Sequence, residues 1–132
     1  MSAATTGPLH GLTILVIDDH RDTVDVLSEY LHSVGAIVLG AGSAKAALAF
    51  TETHVLDVVL VDLRMPGEDG WWFLRQIRAS RMPGAATVPV FAISGERHDR
   101  PDPQSGFAGY FLKPVNLDTL IAALAPLPRR PQ

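Results

Sequence analysis

Val58, Val59, Leu60 and Val61 run without interruption into a carboxylate, Asp62. A block of β-branched and aliphatic residues with no polar alternation describes a strand buried on both faces, as at the centre of a parallel sheet. Met65-Pro66-Gly67 follows at once. Pro66 blocks further ladder pairing and Gly67 permits a turn, so the strand ends near Asp62. An acid at the carboxyl tip of a central parallel strand stands where open α/β folds build their sites.

The rest of the chain repeats this grammar. Leu12 to Ile17 is a second apolar block and ends in Asp18-Asp19. Val24, Leu27, Leu31 and Val34 then recur at helical spacing, and Gly35 stops the helix. Ala36 to Leu39 predicts a short strand, Gly40-Ala41-Gly42 a turn, and Ser43 a cap for the next helix. After Asp62 a helix is expected from about Trp71 to Ser80. Val88 to Ile93 forms a strand ending at Ser94, and Tyr110 to Leu112 one ending at Lys113-Pro114. Asn116 caps a last helix with Leu117, Leu120, Ile121 and Leu124 inward. Between Ser94 and Tyr110 the segment is polar and carries Pro101 and Pro103, which forbid a long regular helix. Alternation of strand and helix gives a parallel sheet covered on both faces.

Residues 1–11, small and polar with three glycine or proline breaks, predict a flexible arm. Residues 12–125 form the single domain, and the proline-rich 126–132 a flexible tail. The 132 residues, 47% apolar, suffice for one real core. No apolar run approaches the roughly 20 residues of a membrane span. The absence of cysteine excludes disulfides and thiolate metal sites. A net charge of −3 with scattered basic residues shows no nucleic-acid footprint. With no secretory signal pattern, a cytoplasmic setting is the default expectation.

In a parallel sheet every strand ends on one edge. Asp18, Asp19, Asp62, Ser94 and Lys113 therefore converge there, although each alone reads as a cap or turn residue. Crowded carboxylates repel and demand a cation. Hard oxygens without sulfur or clustered histidine favour Mg²⁺, which keeps several waters and leaves room for a phosphoryl group. A lysine and a hydroxyl suit that group's oxygens. The central carboxylate can itself be the nucleophile and form an acyl phosphate.

These residues carry a resemblance. Asp18-Asp19 after the first strand, Asp62 followed by Met65-Pro66 and Gly70, Ser94 after the fourth strand and Lys113-Pro114 after the fifth resemble the receiver domains of two-component response regulators, the CheY-like superfamily. The resemblance covers about residues 12–125. It implies a flavodoxin-like (βα)5 fold with strand order 2-1-3-4-5, here with the fourth helix short or degenerate. It implies Asp62 as phosphoacceptor. It implies Mg²⁺ held by Asp19, Asp62 and the backbone carbonyl of Arg64, with Asp18 acting mainly through water. Lys113 and Ser94 contact the phosphoryl group, and Ser94 with Tyr110 forms the switch. The Arg64 side chain lies where hydrolysis of the acyl phosphate is influenced. Expected partners are a histidine kinase or histidine phosphotransfer protein and a downstream protein of unknown identity, with neither nucleic acid nor membrane.

The weakened fourth helix leaves a remodelled and mobile partner face as the expectation for 96–106. Trp72 reads as a rim contact on the helix layer or as a partner contact. The histidines lack metal-ligand spacing and read as solvated or capping. No output domain fits after residue 125, so a stand-alone receiver or one cut from a larger regulator or hybrid kinase is expected. An enzyme is the alternative: a haloacid-dehalogenase-type aspartyl-phosphate phosphatase also uses an aspartate nucleophile, Mg²⁺ and a lysine. It wants Asp-x-Asp after the first strand, whereas Asp18 and Asp19 are adjacent. A flavin-binding module of flavodoxin type would need Ser, Thr or Gly in that loop, where acids would repel a phosphate.

Overall fold

The computed structural model describes residues 6–130. Five strands, β1 (Thr13–Ile17), β2 (Ile37–Ala41), β3 (Val58–Asp62), β4 (Val90–Ser94) and β5 (Gly109–Leu112), pair in parallel in the order β2-β1-β3-β4-β5. Helices α1 (Arg21–Ser33), α2 (Ala44–Thr51), α3 (Gly70–Arg78) and α4 (Leu117–Leu124) connect or follow them. Side chains alternate across the sheet. Leu15, Val59, Val61 and Ala92 face α2 and α3, packing with Ala47, Phe73 and Ile77. Ile14, Val16, Val58 and Leu60 face the other way, toward Leu27 and Leu31 of α1 and Leu120 and Leu124 of α4.

The expected architecture is present, including its gap. Between β4 and β5 the chain makes only a 3-10 turn, Arg97–Asp99, before Pro101 and Pro103. Helix starts follow their caps: Ser43 Oγ accepts from Ala46 N, and Asn116 Oδ1 from Thr119 N. Asp69 caps α3 in the same way through Trp72 N, which starts that helix at Gly70. Trp72 itself is half-buried against the helix layer. Gly40 and Ala41, read as a turn, belong to β2. Gly40 lies so close under α1 that a Cβ would come within 2.6 Å of Val24 Cγ1.

The packed body extends beyond 12–125. Of the expected flexible arm, residues 1–5 lie outside the described residues, but 6–11 are tied down. Leu9 is fully buried, its N–H donates to Val34 O at 3.0 Å, and Gly11 N donates to Gly35 O. Gly35, at φ +107°, leaves no room for a Cβ, which would stand 2.7 Å from His10 N. The expected flexible tail is likewise anchored as far as residue 130. Arg129 donates to the carbonyls of Pro8, His10, Ala125 and Leu127, and Arg130 N donates to Asp57 Oδ1. Residues 131–132 lie outside the described residues. One apolar residue among small ones, and two arginines among prolines, carry no periodicity; their order comes from tertiary contacts.

Candidate functional site

Parallel register brings the strand tips level: Ile17 pairs with Val61, Asp62 with Ile93, and Ser94 with Leu112. The residues just beyond them therefore share one edge. Asp18 is held there by its N–H, which donates to Ala41 O, and Lys113 by its own, which donates to Ser94 O at 2.8 Å. The Lys113-Pro114 peptide is cis. The Lys113 ammonium donates to Asp18 Oδ2 at 3.0 Å and to Asp62 Oδ2 at 2.9 Å. The other oxygen of Asp62 accepts from Arg64 N at 3.1 Å, and the other oxygen of Asp18 from His20 N at 2.9 Å. Asp19 is the more open of the paired acids.

Burial raises the pKa of the Asp62 carboxyl, against the opposing pull of the Lys113 hydrogen bond, the Arg64 N–H and the Lys113 charge. Burial works to lower Lys113, but its hydrogen bonds and charge pairing with Asp62 and Asp18 together win and raise it. The lysine is thus held as a cation between two acids. Oxygens of Asp18, Asp19 and Asp62 and a ring nitrogen of His20 all lie within 4.8 Å of one another. Three hard oxygen donors on a site open to water fit Mg²⁺, which takes few protein ligands and retains waters. His20, expected to be solvated or capping, is exposed at the N-cap position of α1 and also borders this cluster, with Nδ1 at 3.2 Å from Asp18 and 3.4 Å from Asp19. Its position directly after two acids was the available signal.

A second group faces the same edge. Ser94 is fully buried, and its Oγ donates to Asp99 Oδ2 at 2.8 Å while accepting from Glu96 N at 3.1 Å. Asp99 also takes the Arg64 guanidinium in a fork, from Nε and, at 2.8 Å, from Nη2. That fork drives the Asp99 carboxyl down to about 2, helped by Ser94 against partial burial. Tyr110 is half-buried, and its hydroxyl donates to Glu96 O at 2.9 Å. Asp18, Asp19, Asp62, Ser94 and Lys113 stand at the carboxyl edge, and Tyr110, within β5 opposite Ala92, reaches toward it through its hydroxyl; Asp99 was not foreseen, because an acid in a polar loop looks like any other.

Asp57 is the buried carboxylate at the opposite end of β3. It accepts from Thr13 N at 2.7 Å and from Arg130 N at 2.6 Å.

A parallel sheet whose carboxyl edge joins three acids, a hydroxyl and a lysine defines a phosphoacceptor signalling module. The chain belongs to the response regulator receiver domain family, whose profile matches residues 14–125. It is therefore a receiver domain of a two-component system. It is similar to the virulence sensor protein BvgS of Bordetella bronchiseptica, at 33% identity over 98% of this chain and 11% of that protein. Among solved structures, a response regulator receiver domain from Clostridium thermocellum is 30% identical. It covers 86% of this chain and 90% of that one, with a TM-score of 0.76. A CheY-like receiver domain from Methylobacillus flagellatus is 26% identical over 86% and 95%, with a TM-score of 0.77. The chain spans about a tenth of the length of the BvgS proteins of Bordetella bronchiseptica and Bordetella parapertussis. The phosphatase alternative finds no support in these matches. Among the described residues, no helix is long and apolar enough to cross a membrane.

Proposed function

We propose that Asp62 is the phosphoacceptor, taking a phosphoryl group from a phosphohistidine of a histidine kinase or histidine phosphotransfer protein in the cytoplasm. The observation that carries this reading is the single ammonium of Lys113, shared between Asp62 and Asp18. In the transfer an Asp62 oxygen forms the new P–O bond. The P–N bond breaks, and the leaving imidazole keeps the electron pair and takes a proton. Lys113 follows the negative charge from the carboxylate to the phosphoryl oxygens. Asp18, Asp19, Asp62 and the Arg64 carbonyl would hold Mg²⁺, which would supply neutralisation of the charge gathered at this edge. Asp62 Oδ1, oriented by the Arg64 N–H, keeps the carboxylate plane fixed for attack.

Ser94 contacts the phosphoryl group after transfer, and with Tyr110 relays its arrival to a downstream protein. The module does not turn over a substrate; hydrolysis of its own acyl phosphate resets it. A groove of about 660 Å³ between α1 and the start of α4 supports docking of the donor. It is lined by Val26, Leu27, Tyr30, Pro114 and Leu117, and it opens on Asp18 and Lys113. An amphipathic helix seated there would present its histidine to Asp62. The similarity to sensor proteins many times longer supports a place within or beside such a sensor. Phosphotransfer from a panel of autophosphorylated histidine kinases tests the reading. Label is expected on this chain and absent from Asp62→Asn; no transfer from any donor, or transfer that survives Asp62→Asn, contradicts it.

A further inference from the structure

The short segment between β4 and β5 does more than replace a helix. The 3-10 turn folds Asp99 back onto the rim, its N–H donating to Glu96 O at 3.1 Å. Its carboxylate there meets Ser94 from β4 and Arg64 from the loop after β3. A serine hydroxyl has one hydrogen to give. While that hydrogen points at Asp99, it cannot reach a phosphoryl oxygen on Asp62. The guanidinium of Arg64 is committed in the same way, with Nε and Nη2 both turned to Asp99. Nη2 also stands beside His98 Nε2 at 3.2 Å.

Accepting Asp62 as the phosphoacceptor, we propose that Asp99 is a resident competitor of the phosphoryl group, a carboxylate that holds Ser94 and Arg64 until an acyl phosphate takes them. It is a positioning residue: it acts through the two donors and touches no reacting atom. A phosphoryl group on Asp62 brings three strong acceptor oxygens and about two negative charges to the same rim. Ser94 then turns its hydrogen from Asp99 to the phosphoryl group, and Arg64 is drawn after it. Asp99 loses both partners together, and the 3-10 turn loses its hold on the rim. Glu96 is bound to Ser94 Oγ through its N–H and to the Tyr110 hydroxyl through its carbonyl, so the change passes directly to Tyr110. The sensitivity of the switch is therefore set by how firmly one acid holds two donors.

The test is binding of beryllofluoride with Mg²⁺, a stable mimic of the acyl phosphate, followed by tryptophan fluorescence. Trp71 lines the same cleft as Arg64 and Asp99 and serves as the reporter. Asp99→Ala is expected to bind the mimic several-fold more tightly than the unaltered chain, because neither donor must first be withdrawn. Asp99→Asn, which keeps the shape and the Ser94 hydrogen bond but not the charge, should fall between. In a background carrying Ser94→Ala and Arg64→Ala, removal of Asp99 should make no difference. That double-mutant comparison separates competition for donors from simple relief of charge repulsion, which would persist there. Unchanged or weaker binding by both Asp99 variants, with thermal melts showing them folded, overturns the proposal. So does an effect that survives in the double background. Loss of binding in Asp62→Asn confirms the underlying site; binding that survives that change defeats the phosphoacceptor reading instead, and by a different measurement.

Discussion

Strand β3 is bracketed by two buried carboxylates, Asp57 before it and Asp62 at its tip, 1% and 4% exposed. Their neighbours differ completely. Asp57 accepts two neutral backbone N–H groups, one from the start of β1 and one from Arg130 near the end of the chain. Both of its oxygens are committed, and the contacts clamp the amino edge of the sheet. Asp62 faces an ammonium that it shares with a second acid, and its edge opens to solvent through Asp19. Burial alone therefore does not mark a reactive acid. What matters is whether the partners lock the charge in place or leave it poised to be shared with an arriving group. One edge of the sheet is a fastening and the other is a site.

Four perturbations press on that contrast. The largest effect is expected from Asp62→Asn, which should abolish phosphoryl labelling while leaving thermal stability equal or higher. Burial raises the Asp62 pKa, so its charged form at neutral pH opposes folding, and an uncharged amide removes that cost. Next is Leu9→Ala at the fastened edge. It should cost about 2–5 kcal/mol, as for other fully buried leucines, with no change in labelling rate; a denaturant titration reads it. Asp57→Ala removes the acceptor shared by a buried N–H at Thr13 and a part-buried one at Arg130, so a loss of about 1–3 kcal/mol is expected, again with labelling intact. A drop in labelling at full occupancy of the folded state would erase the distinction between the edges. Gly70→Ala tests how tightly the two are joined. A Cβ there would stand 2.7 Å from the Asp62 carbonyl oxygen, so about 1–3 kcal/mol of strain and slower labelling should appear together.

The smallest effect is a pH dependence. Asp99 titrates at about 2, against an ordinary 3.8, chiefly because Arg64 holds its ionised form. A depressed acid adds stability that is complete above its unfolded pKa and fades as pH falls through its folded one. The Arg64–Asp99 fork should therefore persist through mildly acid solution and be lost between about pH 4 and 2. Carboxyl-carbon chemical shifts read this directly; a midpoint at the ordinary value would mean the fork does not form in solution.

Much of this contrast was legible in the residues and some was not. The site edge could be read because apolar runs end abruptly on Asp18, Asp62, Ser94 and Lys113, and parallel pairing brings such ends together. The gap between β4 and β5 was legible through Pro101 and Pro103. The fastened edge was not. Leu9 is one apolar residue in a polar stretch, and Arg129 and Arg130 act through carbonyls that no pattern announces. Asp57 is obscured by its position directly before a strand, where an acid reads as solvent-facing. Asp99 depends on a fold-back of the chain that exists only once β3 and β4 are adjacent.

The contrast between the two ends of β3 is tested most directly by locating the label. The chain is treated with a small phosphoryl donor and Mg²⁺, the acyl phosphate is reduced with borohydride, and the peptides are sequenced by mass spectrometry. The modified residue should be Asp62, with Asp57 recovered unmodified. Reduction product at Asp57, or at both positions, would contradict the account.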